Sequence, residues 1–143
     1  MTSPHTAGPA AARTGNGRVL GIVERAYRGA VEKQFFDVLY MAVELHRQLG
    51  GMDILLRGPA VTCAVAAAEV GKLRFGDRVL DTLTDPRRDL RVLLDAGVRV
   101  LVQEEDLTAL GFTSGDLLDA AVRPVSAAEV ARRWPEYRTV SFL

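Results

Sequence analysis

The stretch from Met52 to Ala66, MDILLRGPAVTCAVA, constrains the fold most, because a short apolar run breaks off at Gly58-Pro59 and small apolar residues follow it. Met52, Ile54, Leu55 and Leu56 are too few for a helix and too unbroken for a half-exposed strand. They predict a strand buried on both faces of a parallel sheet. Pro59 has no N–H to lose and a φ already near the helical value, so it suits the first position of a helix with Ala60, Val61, Thr62 and Cys63 in its first turn. Outward-pointing N–H groups and the positive end of the helix dipole gather at such a turn, which favours an anion or a thiolate.

The remaining segments supply partners for that strand. Arg18 to Glu24, RVLGIVE, predicts a first strand, followed by a loop from Arg25 to Lys33. Phe35, Val38, Leu39, Ala42, Leu45 and Leu49 then recur at helical spacing until Gly50-Gly51 stops the helix. Gly71 to Thr84 reads as a loop with a short helix near Val79 to Leu83. Asp85 caps and Pro86 opens a helix with Leu90, Leu93 and Leu94 on its apolar face, ended by Gly97. Val98 to Val102 predicts a central strand, and Gln103, Glu104, Glu105 and Asp106 lead into a short helix that Gly111 stops. A short helix at Ser114 to Asp119, a strand at Ala121 to Val125, a capping-box helix opened by Ser126 and Glu129, and a last strand at Thr139 to Leu143 complete the order. Strands alternating with helices imply one flavodoxin-like α/β domain over residues 18–143, with about five parallel strands, helices on both faces and the flavodoxin-like strand order. Residues 1–17, rich in Ala, Gly, Pro and Thr, read as a disordered arm.

Composition narrows the partners. Lys plus Arg and Asp plus Glu both number 18, so no global field draws the chain to nucleic acid or an anionic membrane. No apolar run approaches the roughly 20 residues of a spanning helix. One cysteine excludes an internal disulfide, and no charged segment leads into an apolar signal core, so the reading is cytoplasmic.

In such sheets ligands bind beyond the carboxyl ends of the strands. Arg25 to Gly29, Gly58 to Cys63 and Gln103 to Asp106 are predicted to meet there. Cys63 admits two readings: a nucleophilic or persulfide-bearing thiol beside Arg57, with Arg25 or Arg28 near, or a compact core hydrophobe. Arg57, Gly58, Gln103 and Glu104 are the accompanying binding candidates. Glu104, Glu105 and Asp106 are consecutive and spread around a helix, so capping and solvation outweigh a metal or acid–base role. His46 lies beside Ala42 and Leu49 with no second histidine at ligand spacing, which favours a structural role over metal. There is no Gly-x-Gly-x-x-Gly, Walker-type loop or Cys-x-x-Cys, so no cofactor or metal is assigned. Trp134 and Tyr137 are expected to pack the last helix onto the sheet.

From about Val19 to Phe142 the chain resembles the DsrE-like superfamily of intracellular sulfur relay. The resemblance rests on the first strand and long helix, the strand ending in Gly58-Pro59-Ala60-Val61, Ala96-Gly97-Val98 before a strand, Glu105-Asp106-Leu107 with Ala109 and Gly111, and the ending Ser141-Phe142. It implies cytoplasmic homo- or hetero-oligomers, trimers or hexamers, that exchange sulfur with donor and acceptor proteins. In sulfur-carrying members the cysteine lies at the end of the strand that corresponds to Val98 to Val102, where this chain has Gln103. The Glu-Asp-Leu-x-Ala-x-Gly pattern is more similar to the DsrH or TusB type, which lacks that cysteine. The resemblance therefore implies either a persulfide carrier using Cys63 as a relocated thiol, or an accessory subunit that completes an oligomer or binds a partner. A small-molecule binding module on the same sheet edge is a third reading.

Overall fold

The computed structural model describes residues 17–25, 38–68, 71–81 and 83–143. Most of the arm read at residues 1–17, most of the loop after the first strand, Arg28 and Phe35 lie outside these residues. In chain order the described elements are β1 (Val19–Val23), α1 (Val38–Gln48), β2 (Met52–Leu56), a 3₁₀ helix (Gly58–Ala64), β3 (Leu73–Phe75), β4 (Arg78–Leu80), α2 (Pro86–Asp95) and β5 (Arg99–Gln103). They continue with α3 (Glu104–Ala109), a 3₁₀ turn (Ser114–Asp116), β6 (Arg123–Val125), α4 (Ala127–Arg133), a second 3₁₀ turn (Trp134–Glu136) and β7 (Thr139–Phe142).

Five strands form one parallel sheet in the order β6-β5-β2-β1-β7. Every residue of β1 and β2 is buried, which is why β2 reads as an almost unbroken apolar run. The chain steps outward from β1 through β2 and β5 to β6, then crosses back to place β7 on the other side of β1. Right-handed crossovers put helices on one face for the outward steps and on the opposite face for the return. The packing follows this rule: Leu39 and Ala42 of α1 and Leu90 and Leu93 of α2 pack with Met52, Ile54 and Leu56, whereas Val130 of α4 packs with Leu20, Ile22 and Leu55. The parallel α/β architecture with helices on both faces is thus as the sequence reading has it. The strand order is different: flavodoxin reverses direction at its second strand, and this chain reverses at its last. Among the described residues one face is consequently thick and the other is roofed by little more than α4.

Local signals account for most element ends. The Asp85 carboxylate accepts from Arg87 N at 3.0 Å and Pro86 opens α2. Ser126 Oγ accepts from Glu129 N at 3.1 Å, but the Glu129 carboxylate pairs with Arg123 and Arg133 instead of closing a box. The reciprocal capping box sits at Thr113 and Asp116. His46 is structural: its Nδ1 accepts from Met52 N at 3.0 Å and ties the end of α1 to the start of β2.

Between residues 71 and 81 the structure has the β3–β4 hairpin, not the loop and short helix expected from Val79 to Leu83. Gly76 takes φ +55° at the first turn position, as a type II′ turn requires. Three-residue strands are too short for alternation to register, so the apolar cluster Val79-Leu80 with Leu83 mimicked a helical face.

Two acidic residues are buried among the described ones, Asp85 at the cap of α2 and, more deeply, Asp53 in the core. Asp53 is fully buried in β2, and its carboxylate receives Arg18 Nε at 2.8 Å, Arg99 Nε at 3.0 Å, Arg99 Nη2 at 2.5 Å and the Tyr137 hydroxyl at 2.8 Å. Arg99 lies directly opposite it in the sheet register. Burial pushes the carboxyl upward, but the hydrogen bonds from Arg99, Tyr137 and Arg18 outweigh it and hold the group below the usual carboxylate range. The same burial, with the bond to Asp53, pushes the Tyr137 hydroxyl up to about 12. Trp134 is 37% exposed, whereas Tyr137 joins the core face under α4, so only the tyrosine of that expected pair acts as a packing anchor.

Candidate functional site at the carboxyl edge of the sheet

Two of the three segments expected at the carboxyl edge, Gly58 to Cys63 and Gln103 to Asp106, meet there; most of the third, Arg25 to Gly29, lies outside the described residues. Backbone alternation sends Arg57, next after β2, to the α4 side of the sheet. There its Nε contacts Glu24 Oε1 at 2.5 Å and its guanidinium lies 5.4 Å from the centre of the Phe142 ring. Arg57 is thus held between the ends of β1 and β7 by a carboxylate and an aromatic face. Arg25 is exposed, and residues 26–29 lie outside the described residues.

Gly58 takes φ +55°, a backbone conformation that residues with a Cβ rarely adopt. It turns the chain into a 3₁₀ helix rather than the α-helical turn expected after Pro59. With three residues per turn, Ala60 aligns with Cys63 and Val61 with Ala64, and all four are buried. Small side chains on those two rows let the segment settle onto the sheet. It ends at Val65, which is extended and forms a bridge to Leu117.

The outward N–H of this segment is already occupied. Gly58 N donates to Asp106 Oδ2 at 2.6 Å, and Gln103 Nε2 donates to the same oxygen at 2.7 Å. Asp106 therefore clamps the start of the 3₁₀ helix to the end of β5. Glu105 accepts from Ala127 N at 3.0 Å through each carboxylate oxygen, so it caps α4 on the neighbouring strand. Leu107 is 1% exposed and Gly111 takes φ +83° at the end of α3. The Glu-Asp-Leu-x-Ala-x-Gly pattern is therefore a set of edge-building contacts. Glu104 is exposed and does not take part in them. Replacing Asp106 with Ala is expected to cost about 2 kcal/mol, the value of hydrogen bonds to a charged group. A lower urea midpoint at unchanged slope checks this, and an unchanged midpoint would mean that water satisfies Gly58 equally well.

Cys63 is 5% exposed and packs in the larger apolar cluster with Ala60, Leu90 and Leu107. Arg57 is engaged with Glu24 and Phe142 on the other side of the sheet, so the structure does not join the thiol and the guanidinium that sequence spacing placed together. Of the site candidates it unites Gly58 with Gln103, through Asp106. Sequence reading missed Glu24 and Phe142 as partners of Arg57, since a contact between residues 57 and 142 leaves no local signal. Among the described residues no three of His, Cys, Asp and Glu could together hold a metal ion, and no helix is long and apolar enough to cross a membrane.

The sequence matches no protein-family model and no curated protein. Among solved structures, the YchN protein of E. coli aligns at TM-score 0.68 and 17% identity, over 88% of this chain and 98% of that one. A protein of unknown function, MTH1491 of Methanobacterium thermoautotrophicum, aligns at TM-score 0.52 and 20% identity, over 88% of this chain and 96% of that one. The backbones of both align with this one through nearly all of their length. At these identities the likeness shows the fold: an α/β domain built on a parallel five-stranded sheet with helices on both faces.

Proposed function

We propose that the protein is a non-carrier accessory subunit of a cytoplasmic DsrE-like sulfur relay, closest to the DsrH or TusB type, which binds donor or acceptor proteins as part of an oligomer. The burial of Cys63 carries this choice between carrier and accessory roles. A persulfide carrier must present its sulfur to two successive partners, and a thiol 5% exposed on the inward side of a packed 3₁₀ helix presents it to neither. Gln103 stands at the end of β5, where the resemblance places a carrier's cysteine, and its amide is engaged with Asp106. The DsrE-like fold and the edge contacts of Glu105, Asp106 and Leu107 support the assignment to the relay.

Timed alkylation and polysulfide loading of Cys63, read by intact mass in native and denatured protein, test the reading. Native labelling is expected to be at least about a thousandfold slower than denatured labelling, because access requires an opening that costs roughly 4 kcal/mol or more. In a reconstituted transfer assay Cys63→Ala is expected to behave as the natural chain does. Native labelling at the rate of an exposed thiol, with a persulfide adduct that passes to a second protein, would return the carrier role to Cys63.

A further inference from the structure

We propose that the outer edge of β7 is a dimer seam, at which two copies of the chain join their β7 strands antiparallel about a two-fold axis through Ser141. Two five-stranded sheets then become one continuous sheet. This goes beyond the sulfur-relay reading and does not depend on it.

Among the described residues β7 pairs with β1 alone and ends the sheet. Leu143 N donates inward to Ile22 O at 2.9 Å. Within a strand the N–H and C=O of one residue point to the same side and successive residues alternate, so Ser141 also faces β1 while Val140 and Phe142 turn their backbone groups outward. Edge strands are commonly protected by charge or proline. From Thr139 to Leu143 there is neither, whereas the opposite edge, β6, carries Arg123 and Pro124. Phe142 is 58% exposed at this unprotected edge.

The same five residues complement a second copy of themselves. A two-fold axis normal to the sheet keeps each side chain on its own face and pairs residues of equal parity. With the axis at Ser141, Val140 lies opposite Phe142 of the partner subunit and Thr139 opposite Leu143 of the partner subunit. Val140 and Phe142 are the outward-facing residues, so each such pair exchanges two backbone hydrogen bonds. Ring and β-branched side chains meet across the seam, a favourable cross-strand pairing, and no like charges are opposed. The β3 edge fails this test, because Arg74 would face its own copy or Lys72 of the partner subunit.

Light scattering on the full chain over a dilution series, combined with single-cysteine crosslinking, tests the seam. Ser141 would face its copy as a non-hydrogen-bonded pair with Cα atoms about 4.5 Å apart, within disulfide range. Ser141→Cys is therefore expected to crosslink to a dimer under mild oxidation while the parent chain, with Cys63 buried, does not. Thr139→Cys is expected to stay uncrosslinked, since the axis separates the two copies of residue 139 by roughly 13 Å, four residues along the strands. Phe142→Lys is expected to weaken association at least about tenfold with an unchanged circular dichroism spectrum, because it places an ammonium on the seam. A chain that stays monomeric throughout, an oligomer that Ser141→Cys fails to crosslink, or equal crosslinking at residue 139 would overturn the proposal. So would self-association that Phe142→Lys leaves intact, as for a seam meant for a different protein.

Discussion

With Arg18 and Arg99 both replaced by Met, the protein is expected to lose about 3–5 kcal/mol of stability at neutral pH, the cost of leaving a buried charge without its partners. For a chain of this length that corresponds to a fall of roughly 10 °C or more in Tm. Asp53 is fully buried, and among the described residues these two guanidiniums supply the positive charge on its carboxylate. Among the described residues Tyr137 would remain as its side-chain donor. The sign of the pH dependence separates this cause from simple loss of packing. In the natural protein the folded pKa of Asp53 lies below its unfolded value, so its contribution is fully present above about pH 4 and is lost as pH falls through the folded pKa. Without the arginines, burial dominates and raises the folded pKa above the unfolded one. The deficit of the variant relative to the natural protein should then narrow on acidification toward pH 4. Urea unfolding across pH 4 to 8 measures this directly, and a deficit constant with pH would show that the arginines act through their apolar stems instead.

The second large effect contrasts two adjacent leucines of β2. Leu55 and Leu56 are both fully buried, but Leu56 faces α1, α2 and the 3₁₀ helix, while Leu55 faces the side roofed by α4. Leu-to-Ala substitutions cost about 2–5 kcal/mol, and the spread reflects how far the surroundings can relax into the cavity. On the thick face several elements brace one another, so Leu56→Ala is expected near 4–5 kcal/mol. On the thin face a hollow of about 10 Å³ already lies among Leu20, Leu101, Val125 and Val130. The seven-residue α4 can settle toward the sheet, so Leu55→Ala is expected near 2–3 kcal/mol. Equal losses from the two substitutions would mean that the face under α4 is as rigid as the face under α1 and α2.

These expectations place the stability of the protein and its candidate site at opposite ends of one strand. β2 enters the sheet beside the Asp53 cluster and leaves it at Arg57 and Gly58. The carboxyl edge is stabilised by acidic side chains that, read in sequence, also suggest chemistry. Glu105 and Asp106 spend their charge on backbone N–H groups of two other segments, so that edge is rigid before any partner arrives. The burial of Cys63 beside this edge is the observation on which the proposed accessory role rests.

The sequence by itself determined the elements whose causes are local. The three- and four-residue spacing from Val38 to Leu49, the Asp85-Pro86 start of α2, the Ser126 cap and the apolar runs of β2 and β5 arise from contacts within a turn or a strand, and each appears where those signals place it. Gly58-Pro59 marked a turn correctly but not its kind, because an α-helical and a 3₁₀ turn open with the same residues. Only the tertiary structure decided the rest. Asp53, between Met52 and Ile54 in β2, has its role fixed by residues 18, 99 and 137, which come from elsewhere in the chain. Asp106 reaches across 48 residues to Gly58, and Arg57 across the sheet to Phe142. The order of the strands and the side on which Cys63 lies depend on how the crossovers stack. Burial and long-range pairing are properties of that stacking, and side-chain periodicity encodes only which face of an element turns inward, not what it meets there.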